Sequence, residues 1–189
     1  GIECVNGVVR VDNREIETGD IFVCIRGQVS DGHRFIADAR AKGATLIVGE
    51  YDFTDPLPAI RVSDSRRAAA LLAKLFYNDP SSSFRLVGVT GTNGKTTTSM
   101  LLFKAVRELG IDAGWIGTLG YYINDEHFET RHTTPDILQL NGIFAQMAAR
   151  KLNIVFMEVS SHALALDRVY GIEFDYCLFT NLSREHLDF

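Results

Sequence analysis

The sequence predicts an α/β protein in two parts, a small mixed α/β region followed by a truncated, doubly wound, mostly parallel sheet of the P-loop type. Apolar, strand-like runs alternate with amphipathic, helix-like runs along most of the 189 residues. A glycine-rich turn joins one such strand directly to a helix within residues 86–109. A proline followed by three serines, within residues 78–83, separates two halves with different patterns. We therefore place the domain boundary after residue 83, which gives domains 1–83 and 84–189.

The first region shows short apolar runs separated by turns. These runs predict strands at residues 7–11, 21–25, 46–48 and 59–62. Apolar side chains at helical spacing predict helices at residues 35–42 and about 66–77, and Gly43 is placed to end the first of them. Four strands and two helices make a small mixed α/β domain.

The second region alternates strands and helices. Buried-type apolar runs predict strands at residues 86–89, 154–157 and 177–180, and helices are expected at about 96–109 and 136–151. Residues 118–130 alternate around Asn124-Asp125 and predict a hairpin. Thr134 is the expected N-cap of the second helix, with Pro135 at its first position. Sheets of this class usually have more than three strands, so we expect the chain to be part of a longer protein.

Composition excludes several function classes. A net charge of −5, with no interleaving of aromatic and basic residues, argues against nucleic-acid binding. No apolar run reaches the roughly 20 residues of a membrane span, and no leader is expected. Cys4, Cys24 and Cys177 are far apart in apolar surroundings, which is typical of reduced, buried thiols in a cytoplasmic protein.

The segment LVGVTGTNGKTTT, residues 86–98, carries the strongest chemical signal. Backbone N–H groups of a glycine-rich loop and a helix N-terminus bind phosphate oxygens. Lys95 can reach the terminal phosphates and Thr96 can bind Mg²⁺. Val89 stands where the general P-loop pattern has its first glycine, so a tight turn with an incidental lysine is the alternative.

Three other polar groups follow predicted strands or begin a predicted helix. Helix capping explains Thr134 but leaves Thr133 unexplained, and the two hydroxyls would also suit a second anion site. Glu158 follows the strand at 154–157, where it is either a solvated carboxylate or a ligand for Mg²⁺. Arg168 is either a surface charge or a phosphate clamp. Asn181 and the polar cluster around His186 follow the third strand.

Together these motifs resemble the Mur ligase family, MurE type. The matching stretches are TGTNGKT at 90–96, TTP at 133–135, EVSSHAL at 158–164 and FTNLSREHLD at 179–188. DNREIETGDIFVCIRG at 12–27 and DGHRFI at 31–36 are similar to the family's uridine-diphosphate domain. The resemblance covers nearly the whole chain, with its motifs in the family's order.

The resemblance implies an ATP-dependent, Mg²⁺-requiring amide ligase of peptidoglycan synthesis. Such an enzyme phosphorylates the D-Glu carboxylate of UDP-MurNAc-L-Ala-D-Glu, and a diamino acid, meso-diaminopimelate or L-lysine, then displaces the phosphate. Residues 1–83 would form the UDP-binding domain and residues 84–189 an incomplete ATP-binding domain. The domain that binds the incoming amino acid would be absent.

The resemblance also implies roles for individual residues. Those implied for ATP are Gly91, Thr92, Asn93, Gly94, Lys95, Thr96, Thr97 and Asn181. Those implied for Mg²⁺ are Thr96, Glu158 and His186, with Lys95, Glu158 and His186 counted as catalytic. Those implied for the UDP-MurNAc substrate are Asn13, Gln28, Val29, Ser30, Thr133, Thr134, Ser160 and Arg168.

Three departures from the family pattern accompany these roles. Asn13 replaces a serine near the uracil, although an amide also hydrogen-bonds a base. Leu166 stands where some relatives have a substrate-binding glutamine. The family's carbamylated lysine, which joins His186 at a second Mg²⁺, would lie beyond Phe189.

Two alternatives remain open at this point. One is another ligase of the superfamily, similar to folylpolyglutamate synthetase, which the Mur-like first half disfavours. The other is a UDP-sugar- and nucleotide-binding chain without turnover, which we expect of the 189-residue polypeptide by itself. We expect a cytoplasmic monomer without nucleic-acid partners or membrane insertion.

Overall fold

The structure is a computed structural model that describes residues 7–27, 30–52, 57–130 and 132–183. The chain divides into two compact units, Gly1–Phe76 and Tyr77–Phe189. The stretch predicted as a linker instead contains a 3₁₀-helix, Pro80–Ser83, in which Pro80 and Ser81 are buried. The division therefore precedes this stretch.

The described residues of the first unit form a four-stranded parallel sheet and two α-helices. Its strands lie in the order β1-β2-β3-β4. Their bounds are β1 Val9–Arg10, β2 Ile21–Val23, β3 Leu46–Gly49 and β4 Ala59–Arg61. The helices are α1, Ile36–Ala41, and α2, Ser65–Phe76. Two further 3₁₀-helices lie at Asn13–Glu15 and Gly32–Phe35. The mixed α/β character predicted for this region is confirmed.

Buried residues of β2 and β3 build the core of the first unit. Phe22 and Ile47 share a cluster with Ala39 of α1 and the thiol of Cys24. Burial raises the pKa of Cys24 to about 12. Gly43 follows α1 with φ +100, as expected of the residue that ends a helix.

The second unit is built on a six-stranded sheet in the order β10-β5-β9-β6-β7-β8. Its strands are β5 Arg85–Thr90, β6 Ala113–Gly117, β7 Gly120–Ile123, β8 Glu126–Phe128, β9 Ile154–Glu158 and β10 Tyr176–Phe179. Its helices are α3 Lys95–Glu108, α4 Ile137–Ala149 and α5 Ser161–Ala165. The first four strands in the order are mutually parallel, and β7 and β8 form the predicted antiparallel hairpin.

Helices cover both faces of this sheet. Phe103 of α3 packs with Val87 and Trp115 on one face. Phe144 of α4 belongs to a separate cluster with Leu86 on the other face. The doubly wound fold is therefore confirmed.

Three sequence-based expectations for the second unit were wrong. The three predicted core strands omitted β6, which pairs with β9, and the hairpin strands join the same sheet. Cys177 is exposed, because β10 is an edge strand within the described part of the chain. Thr134 does not cap α4; Asp136 does, its carboxylate accepting from Leu138 N (3.0 Å) and Gln139 N (2.9 Å).

A search of the described residues for membrane spans finds no helix with the length and apolarity to cross a bilayer.

Candidate active site

The glycine-rich loop leaves β5 and opens directly into α3. Gly91 has φ +131, and a Cβ there would lie 2.2 Å from Thr180 Oγ1. Gly94 precedes α3 with φ +85, and no side chain caps the helix. The first helical bond runs from Thr98 N to Gly94 O (2.9 Å), so the N–H groups of residues 95–97 precede it. This geometry leaves a helix N-terminus open for a phosphate group.

The segment after β10 holds this loop in place. Asn181 makes a reciprocal pair with the Asn93 backbone: Asn93 N donates to Oδ1 (3.0 Å) and Nδ2 donates to Asn93 O (3.0 Å). Thr180 Oγ1 also donates to Asn93 O (2.7 Å), and Thr92 N donates to Asn181 O (2.9 Å). The structure thus places Asn181 against the loop backbone.

The Lys95 side chain contacts the backbone of the loop that precedes it. Its Nζ donates to Gly91 O (2.7 Å) and Thr92 O (2.8 Å). Within the described part of the chain these carbonyls, not a carboxylate, are its partners. The positive charge is therefore fixed beside the open helix N-terminus without being neutralised.

Glu158 ends β9 and is fully buried. Its Oε2 accepts from Thr96 Oγ1 (2.8 Å), and its Oε1 accepts from the backbone N–H of Thr118 (2.9 Å). Thr118 Oγ1 also lies 3.4 Å from Glu158 Oε2. Gly117 makes room for this carboxylate, because a Cβ at that position would lie 2.0 Å from Oε1.

The donor set around Glu158 fits Mg²⁺. A buried carboxylate and the Thr96 hydroxyl are hard oxygen ligands, and the described partners of the carboxylate are neutral donors that do not cancel its charge. His186, the third predicted ligand, lies outside the described residues. Among the residues described, no group of three His, Cys, Asp or Glu side chains could hold a metal.

The hydroxyl group of Thr134, which precedes α4, binds the backbone at Glu158 and Ser160. Thr134 is buried, and its Oγ1 donates to Glu158 O (3.0 Å) and accepts from Ser160 N (3.2 Å). Arg168 Nη1 donates to Thr134 O (2.9 Å). Thr134 misses the N-cap position because its hydroxyl is bound to the end of β9.

These groups line one cavity of about 460 Å³ at the carboxyl ends of the strands. Its walls are formed by Thr92, Asn93, Gly94, Lys95, Thr96, Thr118, His132, Thr133, Thr134, Glu158, Ser160, His162 and Arg168. Gly91, Thr97 and Asn181 adjoin these residues in the chain or by hydrogen bonds but do not line it. A larger cavity of about 550 Å³, near Arg85 and Asp175, lies at the amino ends of β5 and β10, away from the glycine-rich loop.

Sequence reasoning missed three lining residues, Thr118, His132 and His162. Thr118 follows β6 directly, so recognising that strand would have placed it at the same sheet edge. His132 and His162 stand beside the motifs at Thr133 and Ser160, and their position there was the available signal.

The remaining candidates lie in the first unit. Asn13 Nδ2 donates to Asp38 Oδ2 (2.7 Å), and this bond, with a smaller contribution from Lys42, lowers the pKa of Asp38. Ser30 is exposed, and its carbonyl accepts from Gly27 N (2.8 Å). Gln28 and Val29 lie outside the described residues.

Family models match both halves of the chain. The model described as "Mur ligase middle domain" matches residues 89–189, and that described as "Mur ligase family, catalytic domain" matches residues 7–77. The chain belongs to the Mur ligase family.

Individual Mur ligases are similar over nearly the whole chain. Proteins named UDP-N-acetylmuramoyl-L-alanyl-D-glutamate--2,6-diaminopimelate ligase are 47% identical in Listeria monocytogenes and 46% identical in Bacteroides thetaiotaomicron. The matches cover 94% and 96% of this chain, and 36% and 38% of those proteins. A solved structure with the same name is 28% identical, with a TM-score of 0.80 over 95% of this chain and 37% of that one. The chain thus spans little more than a third of the length of these relatives.

Proposed function

We propose that this chain supplies the ATP site and the sugar-nucleotide-binding unit of a ligase that adds a diamino acid to UDP-MurNAc-L-Ala-D-Glu in peptidoglycan synthesis. The observation that carries the proposal is the cavity of about 460 Å³, which brings together Lys95, Glu158 and Arg168 with a glycine-rich loop. The names of its Mur ligase relatives support 2,6-diaminopimelate as the amine, and L-lysine is the alternative.

The charges in the cavity suit a nucleotide polyphosphate. The open N–H groups of residues 95–97 and the Lys95 ammonium would bind the phosphate oxygens of ATP. Mg²⁺, held by Thr96 and Glu158, would neutralise charge on the β- and γ-phosphates. The contribution of the protein here is positioning and electrostatic stabilisation.

Other lining residues would hold the acceptor substrate. Thr133, Thr134, Ser160 and Arg168 line the same cavity as the loop and would orient the UDP-MurNAc-dipeptide. The γ-phosphoryl group passes to the D-Glu carboxylate, giving ADP and an acyl phosphate. The amine of the diamino acid then attacks the acyl carbon and expels inorganic phosphate. A free carboxylate is a poor electrophile, so phosphorylation must come first.

Lys95→Ala tests the nucleotide site. We expect it to abolish binding of a non-hydrolysable ATP analogue with little loss of stability, because the partners of Nζ among the described residues are two half-buried loop carbonyls. Lys104→Ala, on the same helix and outside the cavity, is the matched control. Binding would be followed by calorimetry and stability by the thermal midpoint. Unchanged affinity in Lys95→Ala would refute the proposed site.

We propose that the 189-residue chain by itself binds both ligands without turnover, since it spans 36–38% of its relatives' length. Phosphate release from the chain mixed with ATP, UDP-MurNAc-dipeptide and diaminopimelate would show otherwise. Failure of UDP-MurNAc-dipeptide to raise the thermal midpoint would count against the sugar-nucleotide assignment. We also propose a cytoplasmic location and a monomeric state.

A further inference from the structure

Thr118 contacts two other residues that line the candidate site, Glu158 and Thr133. Its backbone N–H donates to Glu158 Oε1 (2.9 Å), and its Oγ1 lies 3.4 Å from Glu158 Oε2. The same Oγ1 lies 3.1 Å from Thr133 Oγ1. Thr118 thus connects the carboxylate proposed to hold Mg²⁺ with a hydroxyl proposed to contact the sugar nucleotide.

The direction of these hydrogen bonds follows from the chemistry of the partners. A carboxylate oxygen accepts hydrogen bonds, so the Thr118 hydroxyl donates a hydrogen bond to Glu158 Oε2. The Thr133 hydroxyl must then donate to Thr118 Oγ1. This leaves Thr133 Oγ1 with lone pairs towards the cavity, where it suits a ligand donor such as a sugar hydroxyl or an amide N–H.

The local fold supports this role. Gly117 leaves the space that the Glu158 carboxylate occupies, and the next residue supplies the N–H that holds it. Thr118 itself is exposed in the cavity, so its hydroxyl can be removed without opening the apolar core.

We propose that Thr118 is a positioning residue, an inference that rests on the proposed function. Its single hydroxyl orients Glu158 for Mg²⁺ and Thr133 for the sugar nucleotide. It touches neither reacting group. Its effect is to fix two ligand-binding groups of the cavity relative to each other.

Thr118→Val tests this directly, because it removes the hydroxyl and keeps the shape and the N–H. Calorimetry on the 189-residue chain would give the affinity for a non-hydrolysable ATP analogue with and without Mg²⁺, and the affinity for UDP-MurNAc-L-Ala-D-Glu. We expect the Mg²⁺-dependent gain and the sugar-nucleotide affinity each to fall about 3- to 10-fold. Affinity for the analogue without Mg²⁺ should not change.

Thr118→Ser should restore both affinities, which a purely structural role for the methyl group would not explain. Thr45→Val is the control, since Thr45 Oγ1 donates to Gly19 O (3.0 Å) and Thr45 does not line the cavity. Thr118→Ala replaces the valine variant should that one not fold. In a double-mutant cycle, Thr133→Val should add little to Thr118→Val for sugar-nucleotide binding.

Wild-type affinities in Thr118→Val would overturn the proposal, and so would a loss confined to one ligand, because a shared hydroxyl must affect both. If the wild-type chain bound neither ligand, the proposed function would fail and this inference with it. Normal wild-type binding with an indifferent Thr118→Val would overturn the inference alone.

Discussion

Replacing Gly117 by alanine tests the position of the Glu158 carboxylate without altering the carboxylate itself. The new Cβ would lie 2.0 Å from Glu158 Oε1 and 2.5 Å from Trp115 Cζ2. Both neighbours are fully buried. Contacts below 3.0 Å are not tolerated by a Cβ, so the carboxylate has to leave its position.

The expected cost combines two effects. Overpacking a buried site costs about 1–3 kcal/mol. Moving the carboxylate also breaks its bond from Thr118 N, and a buried polar group left without its partner costs about 1–3 kcal/mol. The two overlap, so we expect the free energy of unfolding to fall by about 2–4 kcal/mol. With a urea m-value of about 2 kcal/mol/M, the midpoint shifts by roughly 1–2 M.

Trp115 makes the assay specific to the second unit. It is the single tryptophan of the chain and is fully buried beside the substitution. Urea unfolding followed by its fluorescence therefore reports this unit alone. Gly142→Ala is the matched control, because its Cβ would come no closer than 3.4 Å to Tyr77 Oη, and alanine favours the helix by about 0.5–1 kcal/mol. A Gly117→Ala midpoint equal to or above that of the wild type would refute the position assigned to Glu158.

Three further predictions concern other parts of the chain. The pKa of Asp175 is lowered by the N–H of Leu86 and by Arg85, so Asp175→Asn should reduce stability at pH 7. The carboxylate's contribution to the free energy of unfolding is present above the usual aspartate pKa of 3.8 and is lost as the pH falls through the lowered pKa. Urea midpoints measured from pH 2 to 7 should therefore differ between variant and wild type near neutral pH and converge in acid. Cys177, which is exposed, should react with a thiol reagent in the native state, whereas buried Cys24 should react only on unfolding, as peptide mass spectrometry would show. Asp136→Ala removes the N-cap of α4 and should cost about 0.5–2 kcal/mol in urea unfolding, and no loss would contradict the cap assignment.

Much of the site could be predicted from sequence because its chemistry is concentrated at strand ends. The carboxyl ends of neighbouring parallel strands meet at one edge, so the loop after β5 and Glu158 after β9 had to lie close together once both strands were recognised. β6 was missed because Ala113–Gly117 contains two glycines and lacks a long β-branched run. With it were lost Gly117, which leaves room for the carboxylate, and Thr118, whose N–H donates to it.

The cap of α4 shows a different limit of sequence reasoning. Thr134 and Asp136 are both good N-cap residues, and helical periodicity locates a helix start only to within a few residues. The choice was made by a contact distant in sequence, the bond from Thr134 Oγ1 to Glu158 O. Local pattern could not reveal that bond, because it depends on β9 lying beside the start of α4.

The distribution of charge in the cavity argues that it is built for ligands and not for stability. Lys95 is held by backbone carbonyls, Arg168 donates to the carbonyl of Thr134, and Glu158 is held by neutral donors. Direct Lys–Glu or Arg–Glu pairing across the cavity would neutralise the site and would have to be broken before phosphate or Mg²⁺ could bind. Within the described part of the chain, backbone and hydroxyl partners instead fix Lys95, Arg168 and Glu158, and none of the three is paired with an opposite charge. A site prepared in this way loses less binding energy to reorganisation, as the proposed phosphoryl transfer requires.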